Sequence, residues 1–132
     1  MDGECQSRPT CFIMLVPCQR QSYQDFQQLL DELHKSAQSQ EVDKTEIQER
    51  FQAVKQFFEA QIITLTPDEF AQEQVSAWQS RQTEIHKHIR LLETDMLMLQ
   101  TARYSETIQS RVAIIRDRLH TLIQYCGAML QL

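Results

Sequence analysis

Apolar residues recur every three or four positions along most of the chain, which is the spacing of one buried face of an α-helix. The longest such pattern runs from Thr66 to Thr101 and contains no glycine. Thr66 suits the N-cap, Pro67 suits the first turn, and Glu69 can return a hydrogen bond to the cap. We therefore predict a helix of about 50 Å here. Its predicted core residues are Ala71, Val75, Trp78, Ile85, Ile89, Leu92, Met96 and Leu99, with Gln82 as a polar gap.

Two shorter helices are predicted before it. The first begins at Ser22, and the second has Asp43 as its N-cap with Glu46 three residues later, the spacing of a capping box. The second ends near Thr64, because the residue before Pro67 avoids helical geometry. The predicted core residues are Tyr23, Phe26, Leu30, Leu33 and Ala37 in the first helix, and Ile47, Phe51, Val54, Phe58, Ile62 and Leu65 in the second.

A fourth helix is predicted after a break between Arg103 and Ser105, with Ser105 as its cap and Glu106 in its first turn. Its apolar residues alternate at four and three positions, which is typical of antiparallel helix packing. They are Ile108, Val112, Ile115, Leu119, Leu122, Cys126 and Met129. The chain of 132 residues has only two glycines and three prolines. We therefore expect an all-α antiparallel bundle of about four helices, in which the two long C-terminal helices form a hairpin.

A register follows if successive helices are joined by tight turns. Folding about Leu65 places Phe58 beside Glu73, and folding about Arg103 places Leu92 beside Ile115. The last two helices then extend past the first two by about a dozen residues, roughly 18 Å. Extra apolar residues at this hairpin tip predict a partner or self-association surface. Its candidate residues are Leu91, Leu97, Met98 and Ile114, ringed by Arg90, Arg103 and Arg111.

Two alternatives to that surface stay open at this point. The first helix can slide along the hairpin and cover these residues, or the break near Arg103 can lie elsewhere. In either case the apolar residues belong to the core.

Residues 1–21 show no helical period, and we expect a mobile arm there, followed by the bundle at residues 22–132. Met14 is a plausible start, which would make residues 1–13 an extension. Cysteines 5, 11 and 18 fall in this arm, whereas Cys126 lies in the apolar pattern of the fourth helix. No two cysteines have the spacing of a zinc or redox motif. Reduced thiols and a cytoplasmic location are the expectation.

The net charge of −5 is unevenly distributed. Residues 23–75 carry eleven acids against four bases, whereas residues 76–132 carry seven bases against five acids. The two halves can attract each other or be solvated, or the second half can bind an acidic partner. An acidic chain argues against nucleic acid as the partner. The apolar run at residues 12–16 is too short for a membrane span.

Little in the sequence points to chemistry. Glu84 and His88 have the four-residue spacing of a metal-binding helix face, but no third ligand is evident, and His86 points in another direction. The chain contains no Glu-x-x-His pair, no glycine-rich phosphate loop and no nucleophile elbow. We therefore expect no enzyme activity, no metal and no cofactor.

Four segments resemble PatD, the cyanobacterial heterocyst frequency control protein family. They are residues 25–33 (DFQQLLDEL), 54–63 (VKQFFEAQII), 91–103 (LLETDMLMLQTAR) and 118–130 (RLHTLIQYCGAML), and the similarity covers residues 14–130 in order. The resemblance implies a small, non-enzymatic helical protein of the cytoplasm. It also implies a partner, the tubulin-like division GTPase FtsZ, whose assembly the family modulates, linking cell division to heterocyst differentiation.

Two other classes of function compete with this expectation. One is a generic oligomeric helical scaffold or adaptor, which includes a homodimer. The other is a small helical enzyme or metal-binding bundle. Co-sedimentation with FtsZ polymers and metal analysis of the purified protein separate the three.

Overall fold

A computed structural model describes residues 17–66 and 72–131. Within these residues the chain forms four helices and no strand, which confirms the all-α class. The helices are α1 (Pro17–Gln38), α2 (Lys44–Phe57) with a π-helical turn (Phe58–Ile62) that continues it, α3 (Gln72–Thr101) and α4 (Ser105–Leu130). The long helices α3 and α4 form the predicted hairpin.

The helices form an antiparallel bundle in which α1 lies between α2 and α4, and α3 packs chiefly against α4. Side chains join neighbouring helices along their lengths. Gln27 of α1 donates from Nε2 to the carbonyl of Ile123 in α4 at 3.2 Å. Gln48 of α2 donates from Nε2 to the carbonyl of Met96 in α3 at 2.9 Å. Of the helix pairs that contact each other, α2 and α3 do so least, and a groove lies between them.

The predicted apolar patterns supply almost the whole core. The buried residues are Tyr23, Phe26, Leu30, Leu33 and Ala37 of α1; Ile47, Phe51, Val54, Phe58 and Ile62 of α2 and its π-helical turn; Trp78, Ile85, Ile89, Leu92, Met96 and Leu99 of α3; and Val112, Ile115, Leu119, Leu122, Cys126 and Met129 of α4. Leu65 and Ile108 pack against this core and are partly buried. Of the other predicted core residues, Val75 is only half-buried and Ala71 lies outside the described ranges. Along the described helices the periodicity otherwise identified the inward face correctly.

The start of the first helix was predicted wrongly. Helix α1 begins at Pro17 instead of Ser22, so residues 17–21 belong to the bundle and not to an arm. The cause is polar anchoring: Gln19 is buried and donates from Nε2 to the carbonyl of Thr66 at 2.9 Å. Arg20 donates to the carbonyl of Leu130 at 2.8 Å. The rest of the predicted arm, residues 1–16, lies outside the described part of the chain.

Two of the predicted helix boundaries are confirmed, but their caps differ in detail. Asp43 accepts a hydrogen bond from the backbone N–H of Glu46 at 3.2 Å. The Glu46 carboxylate does not return to the cap; it accepts from Ser36 Oγ of α1 at 3.1 Å. The break before α4 lies where we predicted it, but Tyr104 is the N-cap residue and Ser105 is already helical. The predicted start of the third helix falls on residues 67–71, outside the described ranges.

The register between α2 and α3 was also predicted wrongly. Phe58 lies against His86, with ring centroids 5.4 Å apart, instead of beside Glu73. Lys44, at the start of α2, donates from Nζ to the carbonyl of Ala102 at 2.8 Å. The hairpin tip therefore does not extend beyond α2, and α2 covers one side of it.

A polar bridge crosses the core where the sequence shows Gln82 as a gap. Tyr23 of α1 donates its hydroxyl to Gln82 Oε1 at 2.7 Å. Gln82 Nε2 donates to the carbonyl of Ile62, at the end of the π-helical turn, at 2.9 Å. Burial is the main cause that raises the pKa of the Tyr23 phenol far above its usual range. Gln82 therefore links α1, α3 and the end of α2 through satisfied polar groups.

Candidate partner-binding surface

The predicted surface residues do not form one continuous patch, because they lie on two sides of α3. Leu91 and Met98 are seven residues apart and share one side of that helix. Leu97 is rotated from Met98 by about 100°. We call the outer side of the α3–α4 hairpin the hairpin face. Its residues are Leu91, Asp95 and Met98 of α3 and Arg111, Ile114 and Arg118 of α4.

An ion pair between Asp95 and Arg118 joins the two helices in the middle of the hairpin face. Asp95 is buried and accepts from Arg118 Nε. Leu91 and Met98 lie four residues before and three residues after Asp95, so they flank it on the same side of α3. Ile114 lies four residues before Arg118, so these two side chains share one side of α4. The centre of the face is thus neutral, with apolar side chains around it.

Several apolar side chains on or near this face reach solvent. Met98 is 42% exposed and Tyr104, in the loop at the tip, is 79% exposed. Leu91 and Ile114 are half-buried between the helices. Neither α1 nor α2 covers this side, because both pack on the opposite side of the hairpin. The structure therefore leaves an apolar strip open along the hairpin face.

Leu97, which is 63% exposed, borders a different surface, the groove between α2 and α3. The groove encloses about 360 Å³. An ion pair between Lys55 of α2 and Glu93 of α3 crosses it, and this pairing raises the pKa of the Lys55 ammonium. Gln48 closes the groove near Met96 through its hydrogen bond to that backbone. Phe51 and Met96 also line the groove but are buried, so Leu97 is its exposed apolar residue.

The three predicted arginines differ from the others that the structure describes. Five arginines donate hydrogen bonds to carbonyl or carboxylate oxygens, and these are Arg20, Arg50, Arg81, Arg116 and Arg118. Arg90, Arg103 and Arg111 make no hydrogen bond or ion pair with any described residue. Arg103 lies in the tip loop and Arg111 on α4, whereas Arg90 lies seven residues before Leu97 and so shares nearly the same side of α3 as that residue. Arg103 and Arg111 therefore border the hairpin face, and Arg90 lies between this face and Leu97.

The histidines of α3 have packing partners. His88 Nδ1 lies 2.8 Å from the carbonyl oxygen of Glu84 and its ring is 5.8 Å from that of Tyr125. His86 and Phe58 pack with their rings steeply inclined to each other, at an interplanar angle of 63°. Among the described residues, no group of three or more His, Cys, Asp and Glu side chains is placed to hold a metal ion. Burial raises the pKa of the Cys126 thiol to about 12, so this cysteine stays protonated in the core.

The sequence did not single out Asp95, Arg118 or Tyr104 as surface residues. Asp95 offered a signal, because it is an acid placed between Leu91 and Met98 on one side of a helix. Its partner could not be chosen without the register of α3 against α4. Tyr104 falls within the predicted break between the helices, where no helical period indicates which way a side chain points.

No helix in the described part of the chain is both long and apolar enough to cross a lipid bilayer. Comparison of the chain with protein-family models, curated proteins and solved structures finds no match. The resemblance to the PatD family therefore rests on the four sequence segments alone.

Proposed function

We propose that this protein is a non-enzymatic regulator that binds FtsZ in the cytoplasm and modulates its assembly, and through it the frequency of heterocyst differentiation. The partner is taken from the resemblance to the PatD family. The four segments that carry the resemblance fall one in each helix, at residues 25–33, 54–63, 91–103 and 118–130. They include core positions of all four helices, so a protein that shares them is expected to share the bundle.

The observation that carries a protein-binding function is the position of the exposed apolar side chains. Four large apolar residues are exposed in the described chain, and three of them, Leu97, Met98 and Tyr104, lie at the tip of the α3–α4 hairpin. Leu97 and Met98 lie on two sides of α3, but all three side chains are at the same end of the bundle. Exposed apolar side chains concentrated at one end in this way are typical of a surface that binds another protein. The fourth, Ile63, lies at the other end of α2, about 28 Å away along that helix.

Co-sedimentation with FtsZ polymers tests the proposal. Purified FtsZ is assembled with GTP, the protein is added, and pelleted protein and light scattering are measured. We expect the wild type to pellet with the polymers and to change the scattering. Leu97→Asp and Met98→Asp are expected to lose both effects while circular dichroism stays unchanged, because both side chains are largely exposed.

Ile63→Asp is the matched control, since Ile63 is 44% exposed and lies away from the tip. It is expected to co-sediment like the wild type. A wild-type protein that neither pellets with FtsZ nor alters its assembly refutes the proposed partner. If Leu97→Asp and Met98→Asp unfold the protein instead, both residues belong to the core and the tip is not a binding surface.

A homo-oligomeric scaffold is the second candidate, and the same exposed residues favour it. Sedimentation velocity of the isolated protein separates the two functions. A dimer that Met98→Asp converts to a monomer, together with no binding to FtsZ, supports the scaffold. A monomer that binds FtsZ supports the regulator.

A further inference from the structure

The chemistry of the hairpin face points to a particular class of partner. We infer that this face binds an amphipathic helix of a partner protein, in which an apolar stripe is flanked by carboxylates. The inference rests on the proposed function in one respect only, that the bundle acts by binding protein. It goes further in assigning the face, the secondary structure of the bound segment and its charge.

The shape of the face suits a helix. Two antiparallel helices leave a shallow groove along their outer side, and a third helix packs into such a groove with one apolar stripe. Leu91 and Met98 form one wall of this groove, and Ile114 forms the other. The Asp95–Arg118 ion pair lies between them with both charges already compensated. An apolar stripe can therefore cover the centre of the face without leaving either charge unpaired.

The charge around the groove selects the sign of the partner. Arg90, Arg103 and Arg111 have no acceptor among the described residues, in contrast to the other five described arginines. Carboxylates at the edges of the bound helix would accept hydrogen bonds from these guanidinium groups, often as bidentate pairs. Complementary rim charges of this kind accelerate association and exclude partners of the same sign.

A second copy of this chain fits the face poorly. A two-fold contact through it would bring the three unpaired arginines of each copy together, and like charges repel. A head-to-tail contact would need the acidic surface of α1 and α2 to supply an apolar stripe. Along the described part of these two helices no large apolar residue is exposed, and Ile63 follows only at the end of the π-helical turn. A different, acidic protein segment satisfies both requirements.

A displayed library of helical peptides tests the inference with the full chain as bait. The peptides carry leucine at heptad positions a and d, and their e and g positions vary among Glu, Gln and Lys. We expect selection on the wild type to enrich Glu over Lys at the flanking positions. A fluorescent copy of the best Glu peptide is then titrated with each variant, and its anisotropy is measured at low and high salt.

The combined variant R90Q, R103Q and R111Q is expected to weaken this peptide about tenfold, because three rim charges are lost. Met98→Asp is expected to weaken it at least as much. The matched control, R20Q with K35Q and R50Q, removes the same charge on α1 and α2, away from the hairpin face, and is expected to stay within about twofold. High salt is expected to weaken the wild type and to change the arginine variant less.

Several results would overturn the inference: no enrichment, enrichment of Lys, or an affinity that the arginine variant leaves unchanged. Binding to vesicles of equimolar phosphatidylserine and phosphatidylcholine that depends on the arginines, with no peptide binding, would assign the face to lipid and overturn it too. Failure of the proposed function is distinguishable from these. If the protein binds acidic peptides but not FtsZ, the proposed function fails and the inference stands. If FtsZ binds and the arginine and Met98 variants leave that binding unchanged, the inference fails.

Discussion

Phe58→Ala is the most direct test of how α2 is placed in the bundle. Phe58 is 3% exposed and lies in the π-helical turn, with its ring 5.9 Å from Phe26 and 5.4 Å from His86. Truncation to alanine removes the buried ring and leaves a cavity between three helices. Substitutions of this kind cost about 3–5 kcal/mol. Since a domain is stable by only about 5–15 kcal/mol, the loss takes a large part of the total.

The assay is urea unfolding followed by circular dichroism, together with the thermal midpoint. We expect the urea midpoint to fall sharply and the melting temperature to drop by about 10–20 °C. Ile63→Ala is the control, because Ile63 follows Phe58 by little more than one turn and is largely exposed. Its cost is expected to be below about 1 kcal/mol. Equal effects of the two substitutions would mean that α2 is rotated from the position described above.

Three further predictions follow from buried polar and ionisable groups. Asp95→Asn leaves Arg118 without its counter-charge and is expected to cost about 1–3 kcal/mol in urea unfolding, whereas an unchanged midpoint would show that the ion pair adds no stability. Because burial raises the pKa of Cys126 to about 12, the unfolded thiol ionises first; stability should fall from about pH 8.5 upwards, and Cys126→Ala should reduce that slope. The pKa of His34 is lowered by burial and by the neighbouring His120 and Arg116, and Asp31 opposes this. The unfolded state therefore binds the proton more readily, stability should fall as the pH drops below about 6.5, and a His34→Gln variant with the wild-type slope would contradict this.

The fold class and the core could be predicted because both depend on local periodicity. Helix faces such as Phe51–Val54–Phe58 on α2 and Val112–Ile115–Leu119 on α4 need only the spacing of apolar residues, since one turn determines which side chains share a face. The break before Ser105 was also local, although the cap was assigned one residue late. Asp43 was assigned correctly as a cap because its partner, the Glu46 N–H, is only three residues away.

What could not be predicted depends on contacts between distant residues. Helix α1 begins at Pro17 because Gln19 and Arg20 find backbone carbonyls 47 and 110 residues away. No local pattern contains these partners. The π-helical turn and the Gln82 bridge could not be predicted for the same reason. Along its own helix Gln82 is only a polar gap in the apolar pattern, and it links three helices because Tyr23 and Ile62 lie beside it.

The register of α2 decides which of the predicted surface residues are open to a partner. A tight turn after Leu65 would have left both sides of the hairpin tip bare. Instead α2 reaches the end of α3, where Lys44 donates to the carbonyls of Gln100 and Ala102. A lysine at this helix end also offsets the negative end of the helix dipole. Leu97 thereby becomes the edge of a groove, while Met98, one residue later, stays on the uncovered side. The hairpin face stays open beside the unpaired Arg103 and Arg111, so a shift of α2 by a few turns would change the binding surface without altering any of its residues.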